Sequence, residues 1–316
     1  MNNFKMTCVV TLFYVATLHA QQLPLFTQYR EMQGVLNPAA VPNGFLTHQN
    51  KGAIGISTRR QWADLPNSPT TQVLRGEYFF AEHTGVTLLT GGYFIKDQTG
   101  PTGFTGIYGR VAGVITSDAE VGGLSFGLAA GGVQYSVKTT ELKLRDANDL
   151  RASQDYQQWY PDISLGAFWY QRLGQFEAED YVYAGVSVPQ MMSLALDVKD
   201  LNHTFQLERT RHYYGSVGWY HFFGNDAFIE PSAWIKYSEK APINVDFNIR
   251  YQAANTFWIG VGSSNQGNIH AELGLILGKN IGFDSNFRFG YGFDYATKSF
   301  GPYVGTTHEI NVSYAF

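Results

Sequence analysis

Apolar and polar residues alternate with a period of two along most of this chain from residue 50 onward. The clearest segment runs from Ile243 to Gln252, where Ile, Val, Phe, Ile and Tyr occupy every second position and polar residues lie between them. Similar alternation covers 268–278 and 281–295. Because successive side chains of a β-strand point to opposite faces, each segment predicts a strand with one apolar and one polar face. These strands are longer than the roughly five or six residues common in globular sheets.

The composition narrows the class of protein. Of 316 residues, 16% are aromatic and only 15% are charged, whereas an average soluble domain has roughly 25% charged residues. A disordered chain has the opposite balance, and a formal net charge of −4 leaves no basic excess to meet nucleic-acid phosphates. No run of about 18 apolar residues follows the N-terminus, so helical membrane spans are excluded. The apolar residues are instead spread over alternate positions.

The first twenty residues have the pattern of a secretory signal peptide. Lys5 supplies the positive charge, 6–18 form the apolar stretch, and Ala20 suits the position before the cleaved bond, so we expect cleavage before Gln21. The alternative, an uncleaved anchor, needs a longer apolar stretch to span a bilayer. Cys8 is the only cysteine and lies in this segment, so we expect the mature chain to have no disulfide.

About fourteen alternating segments follow. They lie at 51–62, 70–81, 84–95, 102–115, 121–138, 161–173, 180–189, 210–223, 227–238, 243–252, 255–264, 268–278, 281–295 and 306–316. Bacterial outer-membrane barrels have an even number of strands, and a closed sheet satisfies the backbone groups that lipid cannot. The sequence therefore predicts an all-β fold, an integral outer-membrane antiparallel β-barrel of about 14 strands in residues 50–316. A large soluble all-β domain is the alternative.

The connections between these segments differ in length. With the first strand running outward from the periplasm, the external connections are 63–69, 96–101, 139–160, 190–209, 239–242, 265–267 and 296–305. The periplasmic ones are 82–83, 116–120, 174–179, 224–226, 253–254 and 279–280. Long loops then gather on the external side, as in outer-membrane barrels. The aromatic ending at Phe316 resembles the terminal signal of such barrels. We expect the outer membrane of a Gram-negative bacterium, with both termini periplasmic.

Two further features concern the inside of the barrel and its membrane surface. Residues 21–49 contain several prolines and no clear period, which favours a periplasmic arm or a plug that enters the barrel. Aromatic residues are expected to form girdles at both membrane interfaces. The tryptophans assigned to the girdles are Trp169, Trp219, Trp234 and Trp258.

An ordered series of short motifs carries a resemblance to a known family. The motifs are QLPLFTQY at 22–29, LNPAA at 36–40, RRQW at 59–62, PTTQ at 69–72, PDISLG at 161–166, YAGVSVP at 183–189, PS at 231–232, DFN at 246–248 and HEI at 308–310. Along the whole mature chain this series closely resembles the PorP/SprF family, outer-membrane proteins of the type IX secretion system and gliding machinery. One departure is 37–40, where the family usually has an aromatic residue and a glycine after the alanine.

The resemblance implies a non-enzymatic accessory barrel. Family members work with particular secreted cargo: a protein or surface adhesin with a type B C-terminal domain needs such a partner for its secretion and for its attachment at the cell surface. Other members are tied to periplasmic components of the secretion or gliding apparatus. The implied partners are therefore a secreted protein, or those periplasmic components, together with outer-membrane lipid.

Candidate partner-binding residues lie in the predicted external loops, where exposed aromatic and arginine side chains are typical of interface hot spots. They are Arg59, Trp62, Pro69, Thr70 and Gln72 around the first loop, and Tyr156, Trp159, Tyr160, Met191, Met192 and Phe205 in the two long loops. The alternatives are a rigid loop folded into the barrel mouth and a lid over the lumen. The N-terminal candidates are Phe26, Gln28, Tyr29, Asn37 and Pro38.

Charged residues on the polar strand faces predict a network in the lumen. They are Asp246, Arg250, His270, Glu272, Asp284, Arg288, Asp294 and Glu309. Opposite charges on neighbouring strands favour an ion-pair ladder that holds the strand register. A catalytic role for His270, Glu272 and Asp284 is an alternative, because some outer-membrane barrels are hydrolases. The scattered histidines match no metal-binding motif, so no metal or cofactor is predicted.

Two other functions stay open. Outer-membrane fatty-acid transporters also have about fourteen strands and an N-terminal hatch with an Asn-Pro-Ala run, such as 37–39 here. A transporter of this kind would bind a hydrophobic small molecule in an apolar pocket beneath its plug. A general porin would instead give a salt-dependent conductance through an open lumen.

Overall fold

A computed structural model describes most of the chain. The described residues are 25–80, 85–138, 155–174, 180–192, 195–199, 204–208, 210–223, 226–239, 241–254, 256–278, 282–283, 285–298 and 301–316. The predicted signal peptide lies outside them, as do Asp284 and most of the loop 139–160.

Strands dominate the fold. They are β1 Gly52–Arg60, β2 Thr70–Phe79, β3 Gly85–Thr99, β4 Thr102–Asp118, β5 Gly122–Val137, β6 Tyr156–Leu173, β7 Asp180–Val188, β8 Ala195–Lys199, β9 Thr204–Glu208, β10 His212–Phe222, β11 Phe228–Ser238, β12 Asn244–Ala253, β13 Phe257–Ser264, β14 Asn268–Leu277, β15 Asn286–Ala296 and β16 Thr307–Ala315. Three four-residue helices are α1 Gln33–Leu36, α2 Phe45–His48 and α3 Gly301–Val304. Among the described residues, no helix is long and apolar enough to cross a membrane.

Fourteen of these strands close into one antiparallel barrel, so the predicted fold class is confirmed. Consecutive strands are neighbours, except that β7 pairs with β10, and β8 and β9 form a separate hairpin between them. The barrel closes where β1 pairs with β16, in register from Ala53 opposite Ala315 to Arg60 opposite His308. Closure leaves no free edge within the part of the wall that all strands share, as a membrane barrel requires.

The two faces of the wall differ in polarity. In β1, Ile54 and Ile56 are more than half exposed on the outer face, whereas Ser57 and Arg59 are buried on the inner face. The same alternation recurs in β13, where Ile259 is exposed. A continuous band of exposed apolar side chains fits contact with lipid and would be unusual on a soluble protein.

The predicted aromatic girdles are only partly correct. Trp169 and Trp219 point outward and are each 41% exposed, as a girdle requires. Trp234 and Trp258 instead face the lumen and are almost fully buried. Both lie on the same strand face as the polar residues, so alternation alone would have assigned them to the inside.

The two ends of the barrel differ. The connections β1–β2, β5–β6, β7–β10 and β15–β16 are long and lie at one end, which we call the loop end. The other end, which we call the C-terminal end, contains Phe316, whose backbone is hydrogen-bonded to Gly52 at the start of β1. Strands β3 to β6 have 15 to 18 residues, whereas the other barrel strands have 8 to 11.

Several predicted boundaries are wrong around these longer strands. The sequence placed 156–160 in a loop, but β6 begins at Tyr156 because its pairing with β5 continues to Val137. The predicted loop 96–101 is mostly β3, and Gly100 and Pro101 alone make the turn to β4. Gly100 has a φ of 55°, a left-handed conformation that glycine adopts without strain.

Candidate functional site

Residues 25–49, which we call the N-terminal segment, pass through the barrel. Thr27 lies near the loop end, where its hydroxyl donates to Asp294 at 2.8 Å. At the other end, His48 contacts Gln252 near the end of β12 at 2.8 Å. Between these points the segment contacts side chains from strands on all sides, so its residues lie within the lumen. Leu25 and Phe316 are therefore at opposite ends of the barrel.

Arg30 attaches the segment to one side of the wall. Its Nε lies 2.7 Å from Glu230 on β11, and its Nη1 donates to Glu272 on β14 at 2.9 Å. Its Nη2 donates to Ser232 at 2.7 Å. The neighbouring Tyr29 shares this hydroxyl and stacks on the Trp234 ring, with ring centroids 5.3 Å apart. One side chain thus joins two strands that are not adjacent in the sheet.

Glu31 attaches the segment to three further strands. Its carboxylate lies 3.2 Å from Arg288 on β15, 3.4 Å from Arg75 on β2 and 3.8 Å from Arg250 on β12. Asn43 of the same segment donates its amide to this carboxylate. Glu31 is 2% exposed, so water does not screen the four charges. Loss of one partner from such a buried group leaves charges without compensation, which costs several kcal/mol.

Another arginine of the barrel wall contacts the middle of the segment. Arg110 on β4 donates from Nη1 to the backbone carbonyl of Ala40 at 3.1 Å and lies near the carbonyls of Asn37 and Pro38. Its Nη2 donates to Glu77 on β2 at 2.6 Å. A guanidinium suits this task, because its fixed fork of donors can satisfy several buried carbonyls at once.

The Asn-Pro turn lies directly against glycines of the wall. The Asn37 amide donates to the carbonyls of Ala167 and Val186 at 3.0 and 3.3 Å. A Cβ at Gly127 would lie 2.5 Å from the Pro38 backbone, so only glycine permits this approach. The contact between segment and wall is therefore close enough to exclude any added side chain.

A third charged cluster lies near the loop end. Arg59 is 2.5 Å from Asp294 on β15 and 3.5 Å from Glu309 on β16. Glu309 also accepts the backbone N–H groups of Thr27 and Gln28, at 2.8 and 3.2 Å. These contacts hold the start of the segment near the barrel seam, where β1 meets β16.

Two of the cavities found among the described residues lie between the segment and the wall. One lies beside Tyr29 and Trp234 and has ≈ 20 Å³ of space for water centres; the other lies beside Thr27 and Asp294 and has ≈ 30 Å³. A water molecule needs at least about 10–15 Å³ by this measure, so each cavity holds about one to three waters.

The lumen candidates form contacts of two kinds. Asp246 pairs with Lys236 on the adjacent strand, and His270 is hydrogen-bonded to Asn248. Arg250, Glu272 and Arg288 instead contact Glu31 or Arg30 of the N-terminal segment. The predicted ladder between strands thus describes part of the network, and the rest joins the wall to the segment. Asp284 lies outside the described residues.

The first group of partner candidates is divided between the two faces of the wall. Arg59 points inward, is 6% exposed and contacts Asp294 and Glu309, and its role in partner binding stays a prediction. It lies on the same face as buried Ser57, which the alternation would have shown. Trp62, Pro69 and Thr70 are half-buried at the loop end, and Gln72 is exposed on the outer face of β2.

The second group lies around the part of β6 nearest the loop end, which we call its upper part. Trp159 is 55% exposed on the outer face, and Met191 is 40% exposed. Tyr160 points inward and packs against Tyr135 with ring centroids 6.1 Å apart. Tyr156 and Met192 are half-buried, and the side chain of Phe205 lies outside the described residues. All five N-terminal candidates, Phe26, Gln28, Tyr29, Asn37 and Pro38, are buried.

Sequence reasoning missed four charged residues that hold the segment: Arg75, Glu77, Arg110 and Glu230. The sequence contained a signal that could have identified them, because each is a charged residue between apolar neighbours in a strand. For example, Arg75 lies between Leu74 and Gly76, and Leu74 is 51% exposed. A charge at a position opposite the lipid face predicts a lumen residue.

Comparisons with solved structures show similarity at low identity. The translocator domain of the autotransporter NalP from Neisseria meningitidis is 13% identical, over 91% of this chain and 95% of that one, with a TM-score of 0.44. A FadL homologue from Pseudomonas aeruginosa is 8% identical, over 89% and 92%, with a TM-score of 0.49. The β domain of the Bordetella autotransporter BrkA is 13% identical, over 84% and 98%, with a TM-score of 0.38. No curated protein matches the chain.

The sequence comparison with protein families is more specific. The profile of the type IX secretion system membrane protein PorP/SprF matches residues 18–314. This range includes the whole N-terminal segment and all but the last residue of the barrel strands. The chain therefore belongs to the PorP/SprF family of type IX secretion system membrane proteins.

Proposed function

We propose that this protein is an accessory outer-membrane barrel that binds a secreted protein carrying a type B C-terminal domain and supports its secretion or surface attachment. The observation that carries the proposal is a lumen filled by the chain's own N-terminal segment. A partner protein then meets the barrel at its rim, and the channel of the secretion system lies elsewhere.

The packing in the lumen supports a binding role over transport. Drug-sized ligands occupy pockets of roughly 300–1,000 Å³, whereas the two cavities beside Tyr29 and Thr27 hold only a few waters. A route for a fatty acid or for ions requires the N-terminal segment to leave, and this breaks the contacts of Arg30 and Glu31. Each of these buried ion contacts opposes such a movement.

The same packing argues for structural roles of the charged lumen residues. Glu272 accepts from Arg30, and His270 is bonded to Asn248, so both side chains already have protein partners. A hydrolytic site needs a general acid or base that can reach a substrate. We propose a non-enzymatic protein for this reason and because of its family.

We propose that the loop end faces outward and that Phe316 is periplasmic. Long loops lie on the external side of outer-membrane barrels, and the long connections of this barrel lie at the loop end. Leu25, the first described residue, lies at that same end and would then be on the external side.

The experiment is purification of the tagged protein from native outer membranes, followed by mass spectrometry. We expect a secreted protein with a type IX C-terminal domain to co-purify in a fixed ratio to the barrel. An unrelated outer-membrane barrel carrying the same tag is the control. Recovery of the barrel alone, with measurable fatty-acid uptake after reconstitution, would support the transporter instead.

A further inference from the structure

The upper part of β6 has a neighbouring strand on one side only. β6 pairs with β5 along its whole length up to Tyr156, whereas its pairing with β7 begins at Leu165. Beyond that point the Met191 N–H donates to the Ile163 carbonyl at 2.7 Å, and the chain then leaves β6. The strands β8 and β9 pair with each other in a separate sheet. Among the described residues, no strand pairs on this side with Gln157, Trp159 or Pro161.

The strand register decides which backbone groups point to the open side. The Arg172 N–H donates to Val121 on the β5 side, whereas the Ile163 carbonyl accepts from Met191 on the opposite side. The pairing with β5 shows no irregularity between these positions. Because backbone groups alternate sides along an antiparallel strand, the odd-numbered residues face the open edge. These are the N–H and C=O groups of Gln157 and Trp159 and the carbonyl of Pro161.

This edge is short and has a defined pattern of donors and acceptors. Pro161 has no N–H, and the Ile163 N–H is already donated to Asp162 Oδ1 at 2.9 Å. The open part therefore offers two donors and three acceptors over about 13 Å of strand. Trp159 stands on the outer face, 55% exposed, with its ring over Gly132. Because proline has no N–H to donate, Pro161 marks the end of the stretch of this edge with which another strand can pair.

We propose that this β6 edge, residues 157–161, binds one extended strand of the secreted partner and adds it to the barrel wall. The inference rests on the proposed function and names its docking site. Alternating backbone donors and acceptors select an extended polypeptide, and the Trp159 ring gives one of its side chains a surface to pack on. β6 continues for about eight residues, or roughly 26 Å, beyond its pairing with β7, so the edge lies clear of the lipid-facing band.

The test uses the complex purified from native membranes with two variants of one residue. Gln157→Pro removes an edge N–H that does not bond to β5, and Gln157→Ala keeps it. We expect Gln157→Pro to lower the amount of partner per barrel at least tenfold, and Gln157→Ala to change it less than about twofold. Heat-modifiable mobility on gels shows that both barrels fold. The amides of Gln157 and Trp159 should exchange at least tenfold more slowly in the complex than in the isolated barrel.

The outcomes separate the two proposals. If the partner co-purifies equally with both variants and the edge amides exchange at the same rate in complex and isolated barrel, the edge proposal is wrong and the proposed function stands. Slow exchange of these amides in the isolated barrel shows that the chain covers its own edge, which also overturns the edge proposal. Absence of any secreted partner overturns both.

Discussion

Replacement of Glu31 by Gln tests whether the ion network holds the N-terminal segment in the barrel. The Glu31 carboxylate lies within 3.2–3.8 Å of three arginines, Arg75, Arg250 and Arg288. Gln is similar in size, so the change removes charge and leaves packing almost unaltered. Removing one partner from a buried ion pair costs about 3–5 kcal/mol. Since each 1.4 kcal/mol is about a tenfold change in an equilibrium, the undocked population should rise at least about 100-fold.

A single reporter thiol measures this population. Val35 lies in α1 and is 8% exposed, and the only natural cysteine is Cys8 in the predicted signal peptide. In a Val35→Cys background, the rate of maleimide labelling reports how often the segment leaves its site. Glu31→Gln should raise this rate at least about 100-fold, while heat-modifiable gel mobility shows that the barrel remains closed. Glu239→Gln, at an exposed turn, is the matched control and should leave the rate unchanged.

The double variant Glu31→Gln with Arg288→Gln sharpens the test. Arg288 has Glu31 as its ion-pair partner among the described contacts, whereas Arg250 also lies 3.1 Å from Glu230 and Arg75 lies 4.0 Å from Glu77. Removing the Arg288 charge should therefore recover part of the docking, because Glu31 and Arg288 interact directly at 3.2 Å. A labelling rate within about twofold of the parent in Glu31→Gln would refute the reasoning. The segment would then be held by its apolar contacts alone.

Two further predictions concern the same segment. Gly127→Ala should raise the labelling at least about fivefold, because overpacking costs about 1–3 kcal/mol, whereas Gly109→Ala, with open space around its added Cβ, should not. A Leu25→Cys thiol in intact cells should react with a membrane-impermeant maleimide, and protection of that thiol until the outer membrane is opened would contradict the proposed orientation.

The sequence predicted the barrel well because its signal is local. Alternation such as that of 243–252 records which side of a strand faces lipid, and β12 occupies nearly this range. The number of strands followed from the same pattern. The start of β6 did not, because the consecutive residues Gln157 and Gln158 make both faces of the strand polar there. There the strand is held by pairing with β5, which the local pattern does not record.

The candidate site was harder to predict, since it depends on contacts between residues far apart in the chain. The charges of Arg250, Glu272 and Arg288 were assigned to the lumen from alternation alone, and they do lie there. Their partners Arg30 and Glu31 lie in a segment without periodicity, so the sequence offered no way to connect them. The inner-face position of Arg59 also follows from alternation, which the assignment of this residue to partner binding did not use.

The central claim is that this barrel serves a secreted protein. It is tested most directly by quantitative mass spectrometry of the surface proteins of cells that lack the gene, compared with parent cells and with cells complemented by the intact gene. The account predicts that one or a few proteins with a type IX C-terminal domain disappear from the surface and return on complementation. An unchanged set of surface proteins, together with a loss of uptake of a hydrophobic small molecule, would contradict it.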